Sequence, residues 1–118
     1  VGERGRDMAK EKTRKELLKM YDGVGDFFEG LAWVWKADKY FHILPDGTRA
    51  YEEEYDNVGD FYEELAVARK GTKWLHIQLN GTPAYKGRFT RVGNFVEGTA
   101  WVVKGGEKFR IYHSGTRA

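Results

Sequence analysis

The sequence predicts an all-β repeat array: three three-stranded meander units of about 34 residues, set as an open superhelix or a partial propeller-like arrangement, behind an N-terminal α-helix. Two observations carry this. The stretches VGDFFEGLAWV from Val24, VGDFYEELAVA from Val58 and VGNFVEGTAWV from Val92 recur at a spacing of 34 residues. The turn dipeptides Asp46-Gly47, Asn80-Gly81 and Ser114-Gly115 recur with them. Aligned without gaps, ten positions are identical in all three copies: in the first copy Val24, Gly25, Phe27, Glu29, Ala32, Lys36, Ile43, Gly47, Thr48 and Ala50. A fixed period of this length means one supersecondary unit, copied and stacked, with a core shared between neighbours.

The elements follow in chain order. DMAKEKTRKELLKM lacks Gly and Pro and is rich in helix formers, so a helix is expected over about 8–20, with Asp7 as its N-cap. Its apolar residues gather at the end, as Leu17, Leu18 and Met20, which suits a charged cap (1–20) anchored on the first repeat by its last turn. The repeats are placed at 21–54, 55–88 and 89–118. In each, VGDF is read as the corner between meanders, Gly25 supplying a permissive backbone while Asp26 and Glu29 satisfy corner amides. The runs LAWVWK and YFHIL alternate as strands. Two-residue hairpin loops join them at Ala37-Asp38, Gly71-Thr72 and Gly105-Gly106, and a second two-residue turn follows at Asp46-Gly47 and its copies. The meanders are thus expected over 31–51, 65–85 and 99–118.

Those turns imply a register. Ala32 faces Ile43 and Trp33 faces His42; around the second turn, Ile43 faces Ala50 and His42 faces Tyr51. Side chains alternate between faces, so one face is an inter-repeat core: Phe27, Ala32, Ile43, Ala50, Phe61, Ile77, Phe95 and Ile111. The other carries Trp33, His42 and Tyr51, then Val67, His76 and Tyr85, then Trp101 and Arg110. That aromatic and cationic row is the candidate exposed binding face, and packing within the fold or against another copy is its alternative use. A one-residue bulge at either turn would exchange the two faces.

Composition excludes much chemistry. The 118 residues contain no cysteine, which removes disulfides, thiolate nucleophiles and cysteine-based metal sites. The net charge of +2 is uneven: residues 1–20 hold seven Lys or Arg against four Asp or Glu, and the rest hold thirteen against fourteen. The repeat body has no excess positive field with which to draw nucleic acid, so no nucleic-acid partner is expected. No apolar run has the roughly 20 residues of a membrane helix. The opening VGERGRDMAKEK has no signal-peptide pattern, and localisation stays open; a start at Val1 suits a piece of a longer protein. The other end, at Ala118, falls inside the third meander without a polar cap, as expected of an end truncated or buried against another chain.

No site chemistry is assembled. His42 and His76 share a repeat position, but the third copy offers Arg110, so no metal set forms. His113-Ser114 lies in a turn and makes no triad by adjacency. Glu52-Glu53-Glu54 is matched by Lys86-Gly87-Arg88 and reads as a solvated connector. There is no phosphate-cradling glycine loop, and neither catalysis nor a cofactor is expected.

VGDF-x-EGLA, then Lys36, then the Tyr40-Phe41-His42-Ile43 strand and the DGTRAY turn resemble the bacterial WG-containing repeat family, over about 20–118. The name-giving Trp-Gly pair is absent: Leu75 follows Lys73-Trp74, and the other copies have Tyr40-Phe41 and Lys108-Phe109. The resemblance implies a β-repeat module without a defined catalytic motif. The expected function is a non-catalytic module for protein–protein interaction or self-assembly. The alternative is binding of carbohydrate or a cell-envelope polymer on the aromatic–histidine rows.

Overall fold

Glycine and short polar pairs at fixed intervals break the chain into short strands, and the computed structural model, which describes residues 10–118, arranges them as three antiparallel sheets of three strands each. The first unit is β1 (Gly23–Val24), β2 (Ala32–Lys36) and β3 (Lys39–Ile43). The second is β4 (Asn57–Tyr62), β5 (Leu65–Lys70) and β6 (Lys73–Ile77); the third is β7 (Arg91–Val92), β8 (Thr99–Lys104) and β9 (Glu107–Tyr112). One helix, α1 (Arg14–Met20), precedes them among the described residues. It is shorter than the sequence predicts and begins at a capping box: the Thr13 hydroxyl accepts from the Glu16 amide, and the Glu16 carboxylate accepts from the Thr13 amide. The expected cap Asp7 lies outside the described residues.

The first hairpin loop falls where expected. Ala32 pairs with Ile43 and Trp33 with His42, and the pattern repeats as Ala66 with Ile77 and Ala100 with Ile111. Ala37 and Asp38 take φ of 51° and 69° and adopt the same left-handed pair as Gly105-Gly106, although neither is glycine.

Two expectations are corrected. The VGDF segment is not a corner but the first strand of each sheet: Val24 pairs with Val34, Val58 with Ala68 and Val92 with Val102. A further two-residue turn makes this possible, at Glu29-Gly30 with φ of 52° and 85°, copied at Glu63-Glu64 and Glu97-Gly98. The sheets therefore run over 23–43, 57–77 and 91–112, earlier in each repeat than expected. A bulge between Val58 and Phe61 hides the alternation that would have marked a strand.

The second correction is the register after the Asp-Gly turn. Leu44 accepts from the Gly47 amide at 2.8 Å, and the Leu44 amide donates to Thr48 at 2.9 Å. This is a three-residue loop with only Gly47 left-handed (φ 91°). The Asp46 carboxylate accepts from the Thr48 amide and hydroxyl, which holds the aspartate out of the left-handed region that a two-residue loop would need. Ile43 consequently opposes Arg49 rather than Ala50. The chain then runs back along β3 to a second bridge at Tyr40 and Tyr55, with exposed Glu52-Glu53-Glu54 bulging between.

The core assigned from sequence is buried at Ala32, Ile43, Phe61, Ile77, Phe95 and Ile111, while Ala50 is half-buried. Phe27 is not core: it is 39% exposed, against 0% for Phe61 and 2% for Phe95. Phe61 and Phe95 each sit 4.5 Å, ring centre to ring centre, from the histidine of the preceding unit. Before Phe27 the chain provides α1 instead.

Candidate functional site

The row read as an exposed face is instead the joint between units. His42 lies on β3 with no exposure, and from there it reaches into the next repeat. Its Nε2 is 2.8 Å from the Gly59 carbonyl and its Nδ1 is 2.5 Å from the Tyr51 hydroxyl. A carbonyl only accepts, so Nε2 carries the proton and the tyrosine hydroxyl donates to Nδ1. The second joint repeats this: His76 Nε2 to the Gly93 carbonyl at 2.7 Å, and Nδ1 to Tyr85 at 2.6 Å. Burial holds both imidazoles down to about 4 and pushes the Tyr51 and Tyr85 hydroxyls up.

Two of the repeat's glycines are explained by the same joint. The Tyr51 ring lies where a Cβ on Gly81 would be, and Tyr85 stands likewise over Gly115; both glycines also have positive φ. Tyr55 spans the same gap, its hydroxyl donating to the Gly81 carbonyl at 2.5 Å. A carboxylate clamp completes the joint. Glu29 accepts from the amides of Glu63 (2.8 Å) and Glu64 (2.7 Å), and Glu63 accepts from Gly98 at 3.0 Å. Sequence reasoning had these glutamates satisfying amides at their own corner; they satisfy those of the next unit.

The exposed-face assignment is therefore corrected residue by residue. His42, His76 and Tyr51 are buried, and Trp33, Val67 and Tyr85 are half-buried. The reason is stacking: the β2–β3 register is as expected, but His42 and His76 reach into the following unit, while Trp33 and Val67 lie over Gly25 and Gly59 of their own sheets. Only Trp101 and Arg110 remain open, on the third unit. Trp101 is 46% exposed, with the Arg110 guanidinium 4.6 Å and the Lys108 ammonium 5.0 Å from its ring centre. Glu97, the clamp's third copy, is exposed beside them in sequence position, at φ 51°. This face, with Trp101, Lys108 and Arg110, is the candidate site.

Missed altogether was the chemistry at the other end. Arg14 of α1 donates to the Val24 carbonyl at 2.6 Å and to that of Gly25 at 3.4 Å, where later joints use a histidine. The signal available was periodic: Leu17, Tyr51 and Tyr85 lie 34 residues apart, as do Tyr21 and Tyr55.

Among the described residues no group of three or more His, Asp or Glu could hold a metal ion. No described helix is long and apolar enough to cross a membrane. The family model described as WG containing repeat matches residues 12–40, 54–74 and 77–107. No curated protein and no solved structure matches the chain.

Proposed function

The chain belongs to the WG-containing repeat family, a repeat module and not a known enzyme family, and from that premise we propose that it is a non-catalytic protein-interaction module working through the outer face of its third unit. One observation carries the proposal. Arg110 holds the repeat position at which, in the first two units, a histidine reaches the glycine carbonyl of the following unit, and Trp101 is exposed beside it. The fitting partner of this face is another β unit of the same kind, offering a glycine carbonyl and a pair of hairpin-turn amides. Arg110 replaces the joint's histidine, and a guanidinium meets the same acceptors at Val24 and Gly25. Where the face is wet, a charged group is favoured over a neutral imidazole. Trp with Arg is also the usual anchor pair of protein interfaces.

The carbohydrate alternative needs aromatic–histidine rows open along all three units. Burial of His42, His76 and Tyr51 removes two of them, and no observation favours that reading.

The test extends the array. A copy of residues 51–84 fused after Ala118 continues the period of 34. Stacking on the third unit should shield Trp101 from acrylamide quenching, read as the difference from the same fusion carrying Trp101→Phe. A fused unit that leaves Trp101 as accessible as before means that the face does not accept a repeat.

A further inference from the structure

The N-terminal helix occupies, on the first unit, the places that a preceding repeat fills on the second and third. Leu17, fully buried, lies over Gly47 with Met20, as Tyr51 lies over Gly81 and Tyr85 over Gly115. The Tyr21 hydroxyl donates to the Gly47 carbonyl at 2.8 Å, as Tyr55 does to Gly81. Arg14 takes the carbonyls of Val24 and Gly25, as His42 takes that of Gly59. Three contacts of the joint are thus reproduced by a segment that is not a β unit.

The copy is incomplete. Between α1 and the first unit lies a hollow of about 390 Å³ lined by Arg14, Val24, Phe27, Gly30 and Pro45 among others. Phe27 borders it half-covered, where Phe61 and Phe95 are sealed by a histidine ring. The turn at Glu29-Gly30, whose counterparts at Glu63-Glu64 receive the clamp, stays exposed. One chain therefore carries the acceptor half of the repeat joint and, of the donor half, the positions of His42 and Glu29; those of Tyr51 and Tyr55 would fall after Ala118. The donor half, with Glu97, Trp101 and Arg110, is open on the third unit. The acceptor half, with Gly25, Glu29, Gly30 and Gly47, is on the first unit and only partly covered.

We propose that α1 is a displaceable plug: it blocks the first unit against the third unit of a second copy, and its release lets copies join head to tail through the glutamate and arginine positions of the joint that links repeats within the chain. The proposal rests on the reading of the third-unit face given above. A heterologous joint of this kind does not close on itself in a dimer, so release yields open chains or rings. The plug is held by Leu17 and Met20 over Gly47, the Tyr21 ring against Phe41 and its hydroxyl on Gly47, the Arg14 guanidinium, and the backbone bond from the Lys12 amide to Pro45.

Light scattering behind a sizing column, over a hundredfold concentration range, tests this on the full chain. The unaltered protein should elute with a mass near 13.6 kDa throughout. Arg14→Glu with Leu17→Asp should release α1 and give masses that climb with concentration to several multiples of that value. Adding Glu97→Lys and Arg110→Glu should return the released chain to a monomer. A released, folded chain that stays monomeric overturns the proposal, and so does association indifferent to Glu97 and Arg110. Should the double substitution lose its β circular dichroism, Leu17→Ala takes its place, with hydrogen exchange at the Tyr21 amide reporting release. Release at that amide without association is equally fatal. The fusion experiment separates the two levels: a docked fourth unit with a monomeric released chain removes the plug and keeps the surface, whereas an undocked unit removes both.

Discussion

The joint between the first two units and the outer face of the third are built from the same repeat positions and have opposite physical characters. In the joint, position 42 is a histidine without exposure, neutral, its two nitrogens both engaged. On the outer face the same position is Arg110, charged and wet beside an exposed Trp101. A guanidinium stays charged and costs more to bury, whereas an imidazole with depressed pKa is buried neutral with only a hydroxyl and a carbonyl for company. The variation at this position therefore follows burial.

The sharpest way to break that comparison is to truncate the same phenylalanine at two places. Phe61→Ala removes a fully buried ring tilted against His42 and should cost about 3–5 kcal/mol in urea unfolding. Phe27→Ala removes a ring that is 39% exposed and should cost no more than about 1 kcal/mol. Equal losses would mean that α1 seals the first unit as well as a repeat seals the second.

This pair also marks how far the sequence could be read. Period, strand content and the first hairpin pairing, Ala32 with Ile43, follow from local residue choice, because turn dipeptides and alternation are local signals. Phe27, Phe61 and Phe95 are identical in sequence, and nothing local separates them; their burial depends on which segment precedes each unit. The second turn failed for a different reason. Asp46-Gly47 permits both a two-residue and a three-residue loop, and the choice is made by the Asp46 carboxylate closing on Thr48. That one-residue shift moves only the residues after the turn; the assigned face lies inward because the following unit stacks on His42 and His76. The candidate site was legible only at Trp101 and Arg110; α1 was legible as a charged cap set on the first unit by its last turn, and its likeness to a repeat only in the periodicity of Leu17 and Tyr21.

A second expected difference is in acid. Free histidine titrates near 6.5, and His42 and His76 are held down to about 4 by burial. Between those values the unfolded chain binds more protons than the folded one, so stability falls as pH drops from 6.5 toward 4 and is fully present above 6.5. Each histidine contributes up to about 3 kcal/mol across that window. Unfolding midpoints measured between pH 7 and 4 should drop accordingly, and His76→Phe should flatten the slope by about half. A flat profile in the unaltered protein would mean that the joints open to solvent or admit the charged ring.

The smallest effect is the most specific, because the comparison carries its own control. Glu29 and Glu97 hold the same repeat position at φ of 52° and 51°, so replacing either by alanine changes the turn's backbone preference equally. What differs is the clamp: Glu29 receives two amides from the second unit, and its loss should cost about 1 kcal/mol, the charge being partly screened by water. Glu97→Ala should change the unfolding free energy by less than about 0.5 kcal/mol in the monomer. In the chain fused to a fourth unit, Glu97→Ala should rise to match Glu29→Ala, since the glutamate then has amides to hold. A Glu97 that stays silent there would mean that the outer face, though made of the same residues, does not rebuild the joint.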